Sequence, residues 1–183
     1  MTITPSECIT ERHLTLFGTI VRWFAQYEVL IQQIIATIIG SHLTDVMLLT
    51  KTLTTGEKRI ALLGLLRHHG IPLDRFDAVN KYLIVLETFS FLVSDIKHSA
   101  WVAGKASRSI QPDWILKPKP TIKPVRSGED GRSPGVLEDY EDKVEYTLEE
   151  LIEIVETLRG NYQSFSAYCR SVGLLVPMER EVG

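Results

Sequence analysis

The segment Ser94-Asp95-Ile96-Lys97-His98-Ser99-Ala100-Trp101, near the end of a long apolar stretch, combines side chains that can do acid–base chemistry. If the stretch is helical, Asp95, His98 and Trp101 lie along one flank, because residues three apart share a helix face. Asp95 would then orient the His98 ring, and Trp101 would cover it. A histidine titrates near neutral pH and can move a proton in catalysis. The alternative is a helix end at which Asp95 and His98 only stabilise each other.

One Asp-x-x-His pair does not predict a metal centre. Di-metal helical bundles need two acidic-x-x-His pairs and further carboxylates on facing helices. The adjacent His68 and His69 point in different directions on a helix, and His13 and His42 show no ligand spacing. We therefore expect no metal and no cofactor.

Composition indicates one domain that spans residues 1–183. A chain of 183 residues with 44% hydrophobic content can bury one full-sized core, and its net charge of −3 argues against a binder driven by bulk positive charge. Cys8 and Cys169 have no CxxC partners, which suits a reducing compartment. The first residues lack signal-peptide features, and the apolar run 29–39 is too short to span a bilayer. These observations predict a cytoplasmic protein that does not bind a membrane.

Apolar periodicity predicts an all-α fold with a long first helix, from about Thr10 to Ile39. Its first apolar stripe consists of Leu14, Phe17, Val21, Phe24, Ile31, Ile35 and Ile38, and its second of Ile20, Trp23, Tyr27, Leu30 and Ile34. Glu28 is the lone charge of the first stripe. Because an unpaired buried carboxylate is costly, we expect Glu28 to lie close to the helix with Ser94, Asp95 and His98, unless that face is a rim.

Four further helices follow from the same periodicity and from capping signals. A short one is expected over Leu43 to Thr52, and the next begins at the capping box Thr54 to Glu57, with Ile60, Leu63 and Leu66 as apolar positions, and ends near Gly70. One long helix runs from Leu73 through the His98 motif. The last helix begins at the capping box of Thr147 and ends at Gly173.

Residues 104–146 form a charged insertion before the last helix. Five prolines between Gly104 and Gly135 exclude a continuous helix, so an extended segment or hairpin is expected. Residues 97–128 hold seven Lys or Arg against one Asp, whereas residues 129–156 hold eleven acidic side chains against two basic ones. The basic part could contact phosphates and stack a base, or pair as a solvated loop with the acidic part of its own chain or of a partner. Its candidate RNA-binding residues are Lys105, Arg108, Trp114, Lys117, Lys119 and Lys123.

The order of elements and the motif Val93-Ser94-Asp95-Ile96-Lys97-His98, followed by Trp101, resemble the HEPN superfamily. These are helical-bundle proteins that include many RNA-cleaving toxins and defence factors, and many carry an Arg-Asn-Asp-Ile-x-His-like stretch. The resemblance implies a HEPN-like bundle and a dimer that brings two arginine/histidine sets into one cleft. It also implies metal-independent attack of a ribose 2′-hydroxyl on the adjacent phosphate. The corresponding site residues are His98, Asp95, Ser94 and Glu28.

The motif departs from the family at its first two positions. Val93 stands where the family has its catalytic arginine, and Ser94 replaces the following polar residue. A valine can neither hold a phosphate nor stabilise its developing charge. The favoured function is therefore a HEPN-like, non-catalytic or weakly active module that binds RNA or a partner protein in a defence or toxin setting. The alternative is a divergent endoribonuclease that uses His98 with a relocated cation.

A homodimer is expected because the first helix and the His98 helix each carry more apolar surface than one bundle face uses. The predicted interface consists of the helix end near Trp101 and part of the Ile20 to Ile34 flank.

Overall fold

The computed structural model describes residues 9–105, 108–113 and 145–175. These residues form six helices, α1 (Glu11–Ile39), α2 (Leu43–Thr50), α3 (Thr55–His68), α4 (Leu73–Thr88), α5 (Ser90–His98) and α6 (Leu148–Ser171). They also form three short strands, β1 (Ala100–Ala103), β2 (Ser109–Asp113) and β3 (Tyr146–Thr147). The predicted all-α bundle is confirmed, and a small sheet is added to it.

Helix α1 is the centre of the bundle and packs against α2, α3, α5 and α6. Its most deeply buried side chains belong largely to the second predicted stripe and include Ile20, Tyr27 and Ile34. The prediction for Leu14 is wrong, since this side chain is 59% exposed. His13 occupies the buried position of the first turn instead, so the neighbouring Leu14 points away from the core.

The predicted dimer interface lies inside the single chain. Residues 20–34 of α1 supply fully buried side chains to the core, and Trp101 is also buried. Because these side chains pack against their own chain, they are not available to a second one. The Trp101 ring and the Ile20 to Ile34 flank are therefore removed from the predicted interface, whereas the exposed end of α5 beside Trp101 stays a prediction.

Capping chemistry fixes three helix starts. The side chains of Thr10, Thr54 and Thr147 each accept the backbone N–H three residues later, and the side chain at that third position contacts the backbone N–H of the cap in return. The predicted boxes at Thr54 and Thr147 are thus confirmed. Gly70 has a φ of 67°, the left-handed conformation expected after α3.

The core face of α3 differs from the predicted one. Ile60 is 71% exposed, whereas Lys58, Leu62 and Leu66 are buried. These three residues are four apart and therefore share one face of the helix. The prediction is wrong for Ile60, whereas Leu66 is confirmed and Leu63 is half-buried against the core. Lys58, a charged residue on the buried face, explains why hydrophobic periodicity did not identify this face.

The helix predicted to run from Leu73 through His98 is broken at Phe89, which separates α4 from α5. Two hydroxyl groups flank the break: Thr88 Oγ1 donates to the carbonyl of Ile84, and Ser90 Oγ donates to that of Glu87. Such side-chain bonds to carbonyls of the preceding turn bend helices. At the break, Phe89 itself has a φ of −91° and a ψ of −1°.

The strands form an antiparallel sheet in the order β1-β2-β3, with Trp101 opposite Pro112 and Ile110 opposite Tyr146. The extended insertion, expected from residue 104, thus begins at Ala100 with a hairpin. The Gly104 N–H donates to the carbonyl of Ser109 and closes the turn, in which Arg108 has a φ of 61°.

Within the described ranges, no single helix is long and apolar enough to cross a membrane. The pair α1 and α2, bent by 117° relative to each other, meets the requirement jointly, by length and composition alone.

Candidate nucleic-acid interface

The outward face of α5 is formed by Phe91, Ser94 and His98, which are all exposed. Their spacing of three and four residues aligns them along the helix. Lys97, also exposed, lies beside this face in the last turn. A lysine and a histidine near the carboxyl end of α5 complement the negative end of the helix dipole.

The orientation of the His98 ring by Asp95 stays a prediction. Asp95 is half-buried in α5, whereas His98 is exposed. His98 is the last residue of α5, and Ser99 already has an extended backbone with ψ of 147°.

Trp101 does not continue the flank of Asp95 and His98. Because α5 ends at His98, Trp101 lies in β1, where strand alternation replaces the helical spacing. Its ring is buried 4.6 Å from the Phe17 ring and 6.2 Å from the Tyr146 ring, measured between centroids. Trp101 thus ties the hairpin to α1 and to β3, and its ring does not continue the helical flank of His98.

Position 93 faces the core. The Val93 side chain is only 2% exposed, whereas His98 is exposed. Five residues along an α-helix correspond to a rotation of about 140°, so the two side chains lie on different faces. The position that the resemblance assigns to a phosphate-holding arginine therefore does not point to the surface that carries His98.

Glu28 is satisfied from α3. Lys58 Nζ donates to its carboxylate at 2.9 Å, and Thr55 Oγ1 donates at 3.5 Å. Lys58 is 6% exposed, so the ion pair neutralises a buried ammonium group. Its partner is thus a lysine of α3 and not the histidine suggested from the sequence, and its proximity to Ser94, Asp95 and His98 stays a prediction.

His13 is a residue of this region that sequence spacing did not identify. Its Nδ1 accepts from the Thr10 N–H at 3.2 Å and lies 2.8 Å from Thr10 Oγ1, so the ring closes the cap of α1. The ring is buried beside the Arg108 backbone; burial lowers the pKa of His13, and the Arg108 backbone opposes this effect. The contact brings the hairpin turn to the first turn of α1. The sequence signal for this role is the position of His13, three residues after Thr10, where a capping box usually has Glu or Gln.

Three cations surround the end of α5 and the hairpin. Lys97, Lys105 and Arg108 are exposed, and no ion pair is described for any of them. By contrast, Lys58 and Arg59 are engaged by carboxylates. The remaining candidates Trp114, Lys117, Lys119 and Lys123 lie outside the described residues. These three side chains present positive charge to solvent, and the hairpin turn also holds one carboxylate, Glu145, which accepts from Ser109 Oγ.

Among the described residues, no three His, Cys, Asp or Glu side chains come together in a way that could hold a metal ion. No family model matches the sequence, and neither a curated protein nor a solved structure matches it. The functional argument therefore depends on the geometry of α5 and the hairpin.

Proposed function

We propose that this protein is a cytoplasmic, HEPN-like helical module that binds RNA and does not cleave it efficiently. The observation that supports this proposal best is the exposure of three cations: Lys97 beside His98 in the last turn of α5, and Lys105 and Arg108 at the hairpin turn that follows. Phosphate contacts from exposed lysine and arginine supply most of the sequence-independent affinity of proteins for nucleic acid. A defence or toxin setting is the context that the resemblance implies.

Weak catalysis follows from the composition of the site. A general acid or base needs a phosphate held within hydrogen-bond reach and a group that stabilises the developing charge. Val93 is buried and apolar, so position 93 offers no donor to a phosphate. Lysine side chains near His98 lack the planar fork of an arginine, so they attract a phosphate without holding it in one orientation.

A homodimer remains part of the proposal on the strength of the resemblance. Since Trp101 and the Ile20 to Ile34 flank are buried within the chain, self-association must use other apolar side chains. Leu48 and Leu49 of α2 are 67% and 73% exposed, respectively, and are candidates for such a contact. Light scattering should give about twice the 20.7 kDa chain mass, and a monomer at all accessible concentrations would remove the dimer from the proposal.

Fluorescence anisotropy with a labelled, unstructured RNA of about ten nucleotides tests RNA binding. The titration is run in EDTA between about 50 mM and about 200 mM salt. We expect affinity to fall as the salt concentration rises. The slope of log affinity against log salt concentration should be smaller in magnitude by about 0.7 for Arg108→Ala, the value for one lost single-strand phosphate contact.

Lys51→Ala is the matched control for this measurement. Lys51 is exposed, and the neighbouring Thr50 hydroxyl bonds to Gln32 of α1. The hairpin turn lies beside His13 at the other end of α1. Gln32 is about 28 Å from His13 along this helix, at a rise of 1.5 Å per residue, so Lys51 is remote from the hairpin. Lack of binding at low salt, or equal effects of Arg108→Ala and Lys51→Ala, would contradict the proposal and favour a partner protein as the ligand.

A further inference from the structure

Phe91 is the most exposed aromatic side chain in the described part of the chain. It is 56% exposed, whereas Phe89, two residues earlier, is 6% exposed and belongs to the core. Aromatic rings provide a large apolar surface, and the aromatic residues of this fold otherwise contact each other or the core. No contact with another aromatic ring is described for Phe91. Its exposed surface is therefore not explained by packing within the described residues.

The break between α4 and α5 sets the position of this ring. Phe91 forms one wall of a small apolar pocket, whose other walls are Thr88, Phe89, Leu92, Tyr146 and Ile154. The pocket supports the ring from the side of the sheet and α6, while more than half of the side chain remains in solvent. One side of the Phe91 ring thus lies against neighbouring side chains and the other faces solvent, so little additional ordering is needed when a ligand binds to the ring.

The surroundings of Phe91 match the chemistry of a nucleotide. Phe91 and His98 are seven residues apart, a distance of about 10 Å along the helix. Single-stranded nucleic acids bind to surfaces that combine aromatic rings, on which bases stack, with cations that contact the backbone. The aliphatic patch of Leu48 and Leu49 on α2 has no such ring.

We infer that the outward face of α5 binds single-stranded RNA, with one unpaired base stacked on Phe91 and the adjoining phosphates near His98 and Lys97. The inference rests on the proposed function and specifies its ligand as an unpaired strand. A duplex keeps its bases stacked on one another and offers no base face to the ring. The face therefore selects single strands over duplexes, independently of sequence.

The test compares Phe91→Ala, Phe91→Leu and Phe91→Trp in the anisotropy titration described above. Loss of one stacked base reduces affinity by about 5-fold to about 150-fold. We expect this reduction for Phe91→Ala and a similar one for Phe91→Leu, which keeps apolar bulk and loses the aromatic face. Phe91→Trp should retain the affinity, and none of the three should change the salt slope.

Leu49→Ala is the matched control, because Leu49 is an apolar side chain 73% exposed on a different helix. A single 2-aminopurine in the RNA supplies a second readout, since stacking on the ring quenches its fluorescence. Quenching by the wild type and by Phe91→Trp, but not by Phe91→Leu, is expected. Circular dichroism of each variant establishes that the fold is retained.

The outcomes distinguish this inference from the proposed function. If Arg108→Ala weakens binding while Phe91→Ala and Phe91→Leu bind like the wild type, the RNA-binding proposal stands and the inference is wrong. If Phe91→Ala changes only the mass measured by light scattering, the ring belongs to a contact between copies of the chain. If the wild type binds duplex as tightly as single strands, selection for an unpaired base is refuted. Absence of any RNA binding overturns both.

Discussion

Replacing Val93 with arginine tests whether position 93 belongs to the core or to the RNA-binding surface. Val93 is 2% exposed in α5, and full burial of a valine contributes about 1.5–3 kcal/mol. An arginine at this position must either carry its charge into the core or displace α5 from the bundle. Burial of an unpaired charged group costs several kcal/mol more.

We expect Val93→Arg to lose about 3 kcal/mol or more of unfolding free energy, a large part of the ~5–15 kcal/mol typical of a domain. Urea denaturation followed by circular dichroism measures this loss. Ser94→Arg is the matched control, since Ser94 is the exposed neighbour on the same helix. Its stability should stay within about 0.5 kcal/mol of the wild type.

Two results would refute the reasoning about position 93. If Val93→Arg unfolds at the same urea concentration as Ser94→Arg, the side chain at position 93 is not in the core. If Val93→Arg also cleaves RNA without added metal, and His98→Ala in the same background abolishes the cleavage, an arginine at position 93 does reach His98. The missing guanidinium alone would then explain a lack of activity.

Two further predictions concern the groups that hold α1 in place. Burial lowers the pKa of His13, so the unfolded chain takes up a proton more readily and stability should fall as pH drops below about 6.5. Thermal unfolding between neutral and mildly acidic pH measures this fall. If the fall persists in His13→Gln, another group causes it. Glu28→Gln leaves Lys58 buried without its carboxylate and should lower the free energy of unfolding by about 2 kcal/mol, a value reduced for the partial exposure of Glu28. Adding Lys58→Met should restore most of the urea midpoint. A normal midpoint for Glu28→Gln alone would show that the ion pair does not contribute to stability.

Local sequence signals were sufficient for the helices that have strong caps and clear apolar stripes. The span of α1, the start of α3 at Thr54 and the start of α6 at Thr147 all agree with the structure. These features depend on residues within one or two turns of each other. The break at Phe89 coincides with the hydroxyl groups of Thr88 and Ser90, which donate to backbone carbonyls. Hydrophobic periodicity does not show whether such bonds interrupt a helix, so the break was not predicted.

The candidate site was less predictable because its geometry depends on contacts between distant segments. The partner of Glu28 is Lys58, thirty residues away on another helix, and a lysine inside an apolar stripe gives no warning that it is buried. The spacing of three residues predicted that Trp101 lies beside His98. In the structure the helix ends at His98, and the Trp101 ring packs on Phe17. Phe91 is exposed although its neighbours Leu92 and Val93 are buried, and no spacing argument identified it in advance.

The central claim is that RNA binds near His98 and stays intact. One experiment tests it directly: the same labelled RNA is followed by anisotropy and then by denaturing gel electrophoresis, in EDTA, with wild-type protein and His98→Ala. We predict that the wild type binds the RNA in a salt-sensitive manner and that the RNA is recovered at full length after prolonged incubation. Robust cleavage by the wild type that disappears in His98→Ala would contradict the account and make the protein a divergent ribonuclease.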